Sequence, residues 1–128
     1  MNPKDAFWLK STGSAAKPGA SHLYCVLTPL CPEGEQLIVN VTSRKPRVPF
    51  DMACTLGWGD HPDITEPSYI FFEEARTIYK KLIDIWTFGH QLTMTTPFSD
   101  PIFERICAGL LSSDFSTPRI KKYYLEHK

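Results

Sequence analysis

Residues His22–Ser43 read HLYCVLTPLCPEGEQLIVNVTS, and how this stretch folds decides what can be built around it. Both ends, HLYCVL (His22–Leu27) and QLIVNV (Gln36–Val41), are rich in the β-branched and aromatic residues that suit a pleated, half-buried surface. Between them TPLCPEGE (Thr28–Glu35) carries Pro29, Pro32 and a Pro-Glu-Gly turn signal. The stretch therefore predicts strand, loop, strand.

Outward from it, TSRKPRVPFD (Thr42–Asp51) is a loop with two prolines and three basic residues. MACTLGW (Met52–Trp58) reads as a short third strand, and GDHPDITEP (Gly59–Pro67) as a loop delivering the chain into a further strand, SYIFF (Ser68–Phe72). Next, Ala75, Ile78, Tyr79, Leu82, Ile83 and Trp86 recur at helical spacing while the residues before them alternate. A strand ending near Glu74 and then a helix is expected, with strand or helix left open over 73–86. SDPIFERICAGLLSS (Ser99–Ser113) is a helix: Asp100 as N-cap, Pro101 at the first helical position, and Ile102, Phe103, Ile106, Cys107 and Leu110 on one face. STPRIKKYYLEHK repeats this start with Thr117 and Pro118 and predicts a short basic C-terminal helix. In the other direction, Ser11–Ser21 is rich in Ser, Gly, Ala and Pro. Residues 1–21 are expected to form a flexible N-terminal arm, and 22–128 a single domain with a C-terminal helical extension. The class is mainly β with C-terminal helices, a small barrel-like, bent antiparallel sheet.

A chain of 128 residues suits one domain, and its 42% apolar and 22% charged residues suit a globular rather than a disordered one. Fourteen Lys and Arg against fourteen Asp and Glu exclude a global basic field, so any nucleic-acid site must be local. No apolar run has the roughly 18 residues needed to span a bilayer, and the N-terminus lacks a signal-peptide core, so a cytoplasmic protein is expected. The four cysteines (Cys25, Cys31, Cys54, Cys107) form no CxxC pair and read as buried thiols. His22, Cys25, Cys54 and His61 include metal-ligand types, but residues three apart on a strand point to opposite faces, so neither metal nor cofactor is expected. The phosphate-cradling glycine loop, the nucleophile elbow and the HExxH helix are all missing from the sequence.

The succession HLYCVLTP, LIVNVTS, D-x-x-C-x-L, GDHP and SYIFFEEARTI, from Ser21 to Ile78, resembles the PemK/MazF-like group of small SH3-like barrels. That resemblance implies an SH3-like barrel fold and a toxin of a toxin-antitoxin or defence system. It further implies a metal-independent endoribonuclease, RNA or an antitoxin-like protein as partner, no membrane, and a homodimer as one assembly open to it. Where active toxins of this type carry an arginine-proline pair before the apolar strand, this chain has Ser21 and His22.

Such cleavage needs a group to deprotonate the 2'-hydroxyl, one to stabilise the phosphorane and one to protonate the leaving oxygen. Histidine suits the proton transfers, which nominates His22 and His61. Thr42 completes the catalytic set as a hydroxyl donor, with Ser43, Arg44, Lys45 and Arg47 to contact phosphate and Trp58 to stack on a base. Each has a plainer reading beside it. Asp60, Gly59 and Pro62 make a turn over which His61 merely packs, Thr42 and Ser43 close a strand end, the basic run is a solvated loop, and Trp58 belongs to the core. With the arginine missing, catalysis stays open against a non-catalytic interaction module that binds a protein partner or nucleic acid through the same rim.

Overall fold

The structure is a computed structural model that describes residues 1–10 and 21–128. In chain order the strands are β1 (Ala6–Lys10), β2 (Ser21–Val26), β3 (Glu35–Ser43), β4 (Thr55–Leu56), β5 (Ser68–Ile70), β6 (Arg76–Tyr79) and β7 (Leu92–Thr95). The helices are α1 (Lys80–Phe88), α2 (Asp100–Ser112) and α3 (Pro118–His127). The strands form one open, seven-stranded antiparallel sheet in the order β4-β5-β3-β2-β1-β7, with β6 also paired to β3. The fold is thus a mixed α/β one.

The stretch His22–Ser43 folds as strand, loop, strand, and Gly34 closes the loop at φ 83°, a conformation that favours glycine. β3 is the spine. One edge carries β2, while the other is shared: Glu35–Ile38 pair with β6 and Val41–Ser43 with β5. Between those two partners a 3-10 turn (Phe72–Glu74) steps around Asn40, whose carbonyl accepts the Phe71 N–H at 3.0 Å. This explains the mixed pattern over 73–86. The segment is 3-10 turn, strand β6 and helix α1 in succession, so neither a strand ending near Glu74 nor one continuous helix describes it.

The N-terminal expectation is corrected too. Ala6–Lys10 are no arm but an inner strand between β2 and β7, with Ala6, Phe7 and Leu9 buried. The remainder of that expected arm, 11–20, lies outside the described residues. β7 is a further strand that the sequence did not disclose. Ser99, rather than Asp100, occupies the cap position of α2. Thr117 caps α3 as expected, its hydroxyl oxygen accepting the Ile120 N–H at 3.2 Å.

Apolar layers cover both faces of the sheet. On one, α2 and α3 bring Ile102, Ile106, Cys107, Leu110 and Tyr124 onto Leu23, Cys25, Leu37, Val39 and Ile70. On the other, Ile83 and Trp86 of α1 cover Phe7, Val26, Ile38 and Ile78. Burial on both sides is why Gln36–Asn40 form an unbroken buried run instead of alternating. Helix α2 lies so close that a Cβ on Gly109 would fall 2.9 Å from the Phe72 ring and 3.0 Å from Cys54 Cβ. Among the described residues no helix is long and apolar enough to cross a membrane.

Candidate nucleic-acid interface

The loop holding His61 is built by its neighbours. Gly59 takes φ 96°, and the Asp60 carboxylate accepts the Gly57 N–H at 2.8 Å while the Asp60 N–H returns to the Gly57 carbonyl at 3.1 Å. His61 itself is 3% exposed. Its Nδ1 accepts the Asp63 N–H at 3.0 Å, so the ring proton sits on Nε2, which donates to the Thr96 carbonyl at 2.6 Å. The ring lies 4.6 Å from that of Phe98. With both nitrogens engaged inside the protein, His61 is a pin between the loop and the segment after β7, the plainer of its two readings. Trp58, on the same turn, is 80% exposed rather than in the core, and it stands outside the cleft described next.

That cleft, about 430 Å³, lies where β1–β3 end against the loop 63–68, and residues lining it include His22, Thr42, Ser43, Lys45, Asp63 and Glu66. Its wall is acidic. Hydrogen bonds from the Thr95 hydroxyl (2.6 Å) and the Trp8 indole N–H (2.7 Å) hold the Asp63 carboxyl below its ordinary pKa. The Ser43 hydroxyl donates to Glu66 at 2.5 Å, so its proton is already engaged and cannot serve a phosphate.

Side chains alternate along strands, which sends His22 and Thr42 to the sheet face opposite Leu23, Val41 and Ser43. The β2–β3 register ends at the pair Leu23–Val41, and His22 and Thr42, the next residues along the two strands, line the same cleft. Thr42 Oγ1 accepts from Asn40 Nδ2 at 3.3 Å, and among the described residues no group accepts the Thr42 O–H. On the next strand Thr42 pairs with Tyr69. From there an aromatic row continues: Tyr69 to Phe71 with ring centroids 5.9 Å apart, Tyr69 to Phe50 at 5.4 Å, and the Arg44 guanidinium over Phe50 at 4.2 Å. All three rings are half-buried. Lys45 and Arg47 are exposed on the same loop, in a turn closed by the Val48 N–H and the Lys45 carbonyl at 3.3 Å.

The structure thus brings His22, Thr42 and Ser43 to one cleft with Lys45, sets Arg44 and Arg47 on the adjoining loop, and leaves His61 and Trp58 outside it. Tyr69, Phe71 and Phe50 escaped the sequence reading. The signal for the first two was available in SYIFF, where Ser68, Ile70 and Phe72 turn inward and Tyr69 and Phe71 outward. The cysteines offer no nucleophile here. All four are buried and unpaired, and burial pushes the Cys54 thiol up to about 11 and Cys25 well above its ordinary value. Among the described residues no group of three or more His, Cys, Asp or Glu is placed to hold a metal ion. Compared with known proteins, the chain matches no family model and no curated protein.

Proposed function

We propose that this protein is a single-stranded RNA-binding module of the PemK/MazF-like kind, using the face on which His22, Thr42 and Tyr69 lie side by side. The observation that carries this reading is the continuous row Arg44, Phe50, Tyr69, Phe71 beside the Thr42 hydroxyl. Half-exposed rings offer stacking surfaces to unpaired bases, and a guanidinium with two neighbouring cations offers contacts to the backbone. Duplex grooves would not reach rings set in a sheet face. Binding without cleavage is favoured because His61 is engaged internally, which leaves His22 as the sole nominated imidazole on this face.

A metal-independent endoribonuclease is the second reading, and one observation favours it: His22 is exposed at the end of β2 and lines the same cleft as Thr42. A single assay separates the two. End-labelled hexauridylate should shift on adding the protein and remain intact. The logarithm of its affinity should fall with log salt at a slope of about −2, as expected for three cations on a single strand. Tyr69→Ala should weaken binding about tenfold, the loss of one base-stacking contact. Fragments ending in a 2',3'-cyclic phosphate, abolished by His22→Ala, would transfer the function to the enzyme reading. No shift at any salt concentration would remove RNA from the account.

A further inference from the structure

We propose that the hollow walled by Phe50, Tyr69, Phe71 and Phe115 is a guanine-selective base pocket, an inference that rests on the RNA reading above. The hollow measures about 220 Å³, room for one nucleobase, and the residues lining it also include Pro49, Asp51 and Glu73. Its aromatic walls are not flat against one another: Phe50 and Tyr69 meet at 41°, Tyr69 and Phe71 at 42°, so the row curves around the space instead of forming a platform. Phe115, 54% exposed after α2, completes the lining. Arg44 covers Phe50 but does not line this hollow, whose lining among the described residues holds no lysine or arginine.

The two carboxylates differ in what they can still do. Asp51 is buried and both its oxygens are taken, one by the Ala53 N–H at 2.9 Å and the other by the Ser113 hydroxyl at 2.6 Å. It fixes the pocket's floor to the end of α2. Glu73, in the 3-10 turn after β5, is exposed, and its side chain takes part in no ion pair among the described residues. It remains free to read a base edge.

Two carboxylate oxygens side by side match an edge with two adjacent donors. Guanine presents N1–H and the N2 amino group in that arrangement. Adenine and cytosine each set one amino group next to a ring nitrogen that a carboxylate repels, and uracil flanks its single N–H with two carbonyls. Glu73 also lines the adjoining hollow of Tyr24, Asn40 and Arg76. There Asn40 is 4% exposed, and its Oδ1 has no hydrogen-bond partner among the described residues. Tyr69 pairs directly with Thr42, so a nucleotide whose base enters the pocket has its sugar and phosphate beside the Thr42 hydroxyl.

The test compares hexauridylate with the same strand carrying one guanosine, inosine or adenosine, by fluorescence anisotropy at fixed salt. The guanosine strand should bind about tenfold tighter than hexauridylate, the gain expected from charge-assisted hydrogen bonds. Inosine, which lacks the N2 amino group, should fall between, and adenosine should gain no more than its stacking. Glu73→Gln, an exposed change whose folding is checked by its melting curve, should bring the guanosine-to-uridine ratio close to one. Equal binding of all four strands would overturn the pocket assignment while leaving the RNA reading intact. So would a guanosine preference that survives Glu73→Gln unchanged. Failure of every strand to bind would refute the RNA reading and this inference with it. Displacement of the bound strand by arginine amide, without any guanine preference, would also overturn the inference and give the pocket to a cationic side chain.

Discussion

Ile106→Asp should abolish the cooperative unfolding transition, with the purified variant lacking native near-ultraviolet circular dichroism at room temperature. Ile106 has no exposed surface and sits where α2 meets the sheet, among Leu37, Val39, Ile70 and Phe72. An aspartate there loses the burial of three apolar carbons and places a carboxylate where the apolar cluster offers it no partner. An unpaired buried charge costs several kcal/mol at the least, comparable with the whole of a domain's ordinary stability of about 5–15 kcal/mol. The close approach of Gly109 to Phe72 blocks the obvious escape, because α2 is held against the sheet one turn further on. A variant that melts cooperatively near the parent temperature would mean that α2 presents another face to the core.

His61→Ala should lower stability by about 2–4 kcal/mol, the combined loss of a buried ring and two internal hydrogen bonds. For a domain of this size that corresponds to a fall in melting temperature of roughly 10 °C. The loss comes from named contacts: the Thr96 carbonyl and the Asp63 N–H are both left without partners, and Phe98 loses its neighbouring ring. His22→Ala is the matched control. It removes an exposed side chain at a strand end and should leave the melting temperature nearly unchanged. Equal melting temperatures for the two variants would show that His61 pins nothing and would restore it as a candidate acid or base.

Sequence reading reached those parts of the molecule whose physics is local. The strands flanking TPLCPEGE were legible because prolines and Gly34 bound them on one side and their composition excludes a surface helix. The α2 start was legible through Pro101 and the spacing of Ile102, Ile106 and Leu110. β1 was hidden for a physical reason. Its five residues, AFWLK, are covered on both faces, so they show no alternation, and a run of Ser, Gly, Ala and Pro follows them. Gly59, Asp60 and Pro62 announced a turn, but the partners that decide the role of His61 are Thr96 and Phe98, which only the fold brings near. The same holds for the candidate site. Thr42 and Arg44 could be nominated from the end of β3, whereas the contact of Phe50 with Tyr69 joins a loop to a strand across an intervening stretch of chain. Charge alone did not separate Ser43 from Thr42 either, since what distinguishes them is that one hydroxyl is tied to Glu66 and the other donates to no group among the described residues.

Whether RNA lies on the face shared by His22, Thr42 and Tyr69 can be read from backbone amide signals in an NMR titration with hexauridylate. Saturable shifts are expected, confined to Ser21–Leu23, Thr42–Phe50 and Ser68–Phe71 and reversed as salt is raised. Shifts gathered instead on the Trp58 turn or along α3, or an unchanged spectrum at saturating RNA, would contradict it.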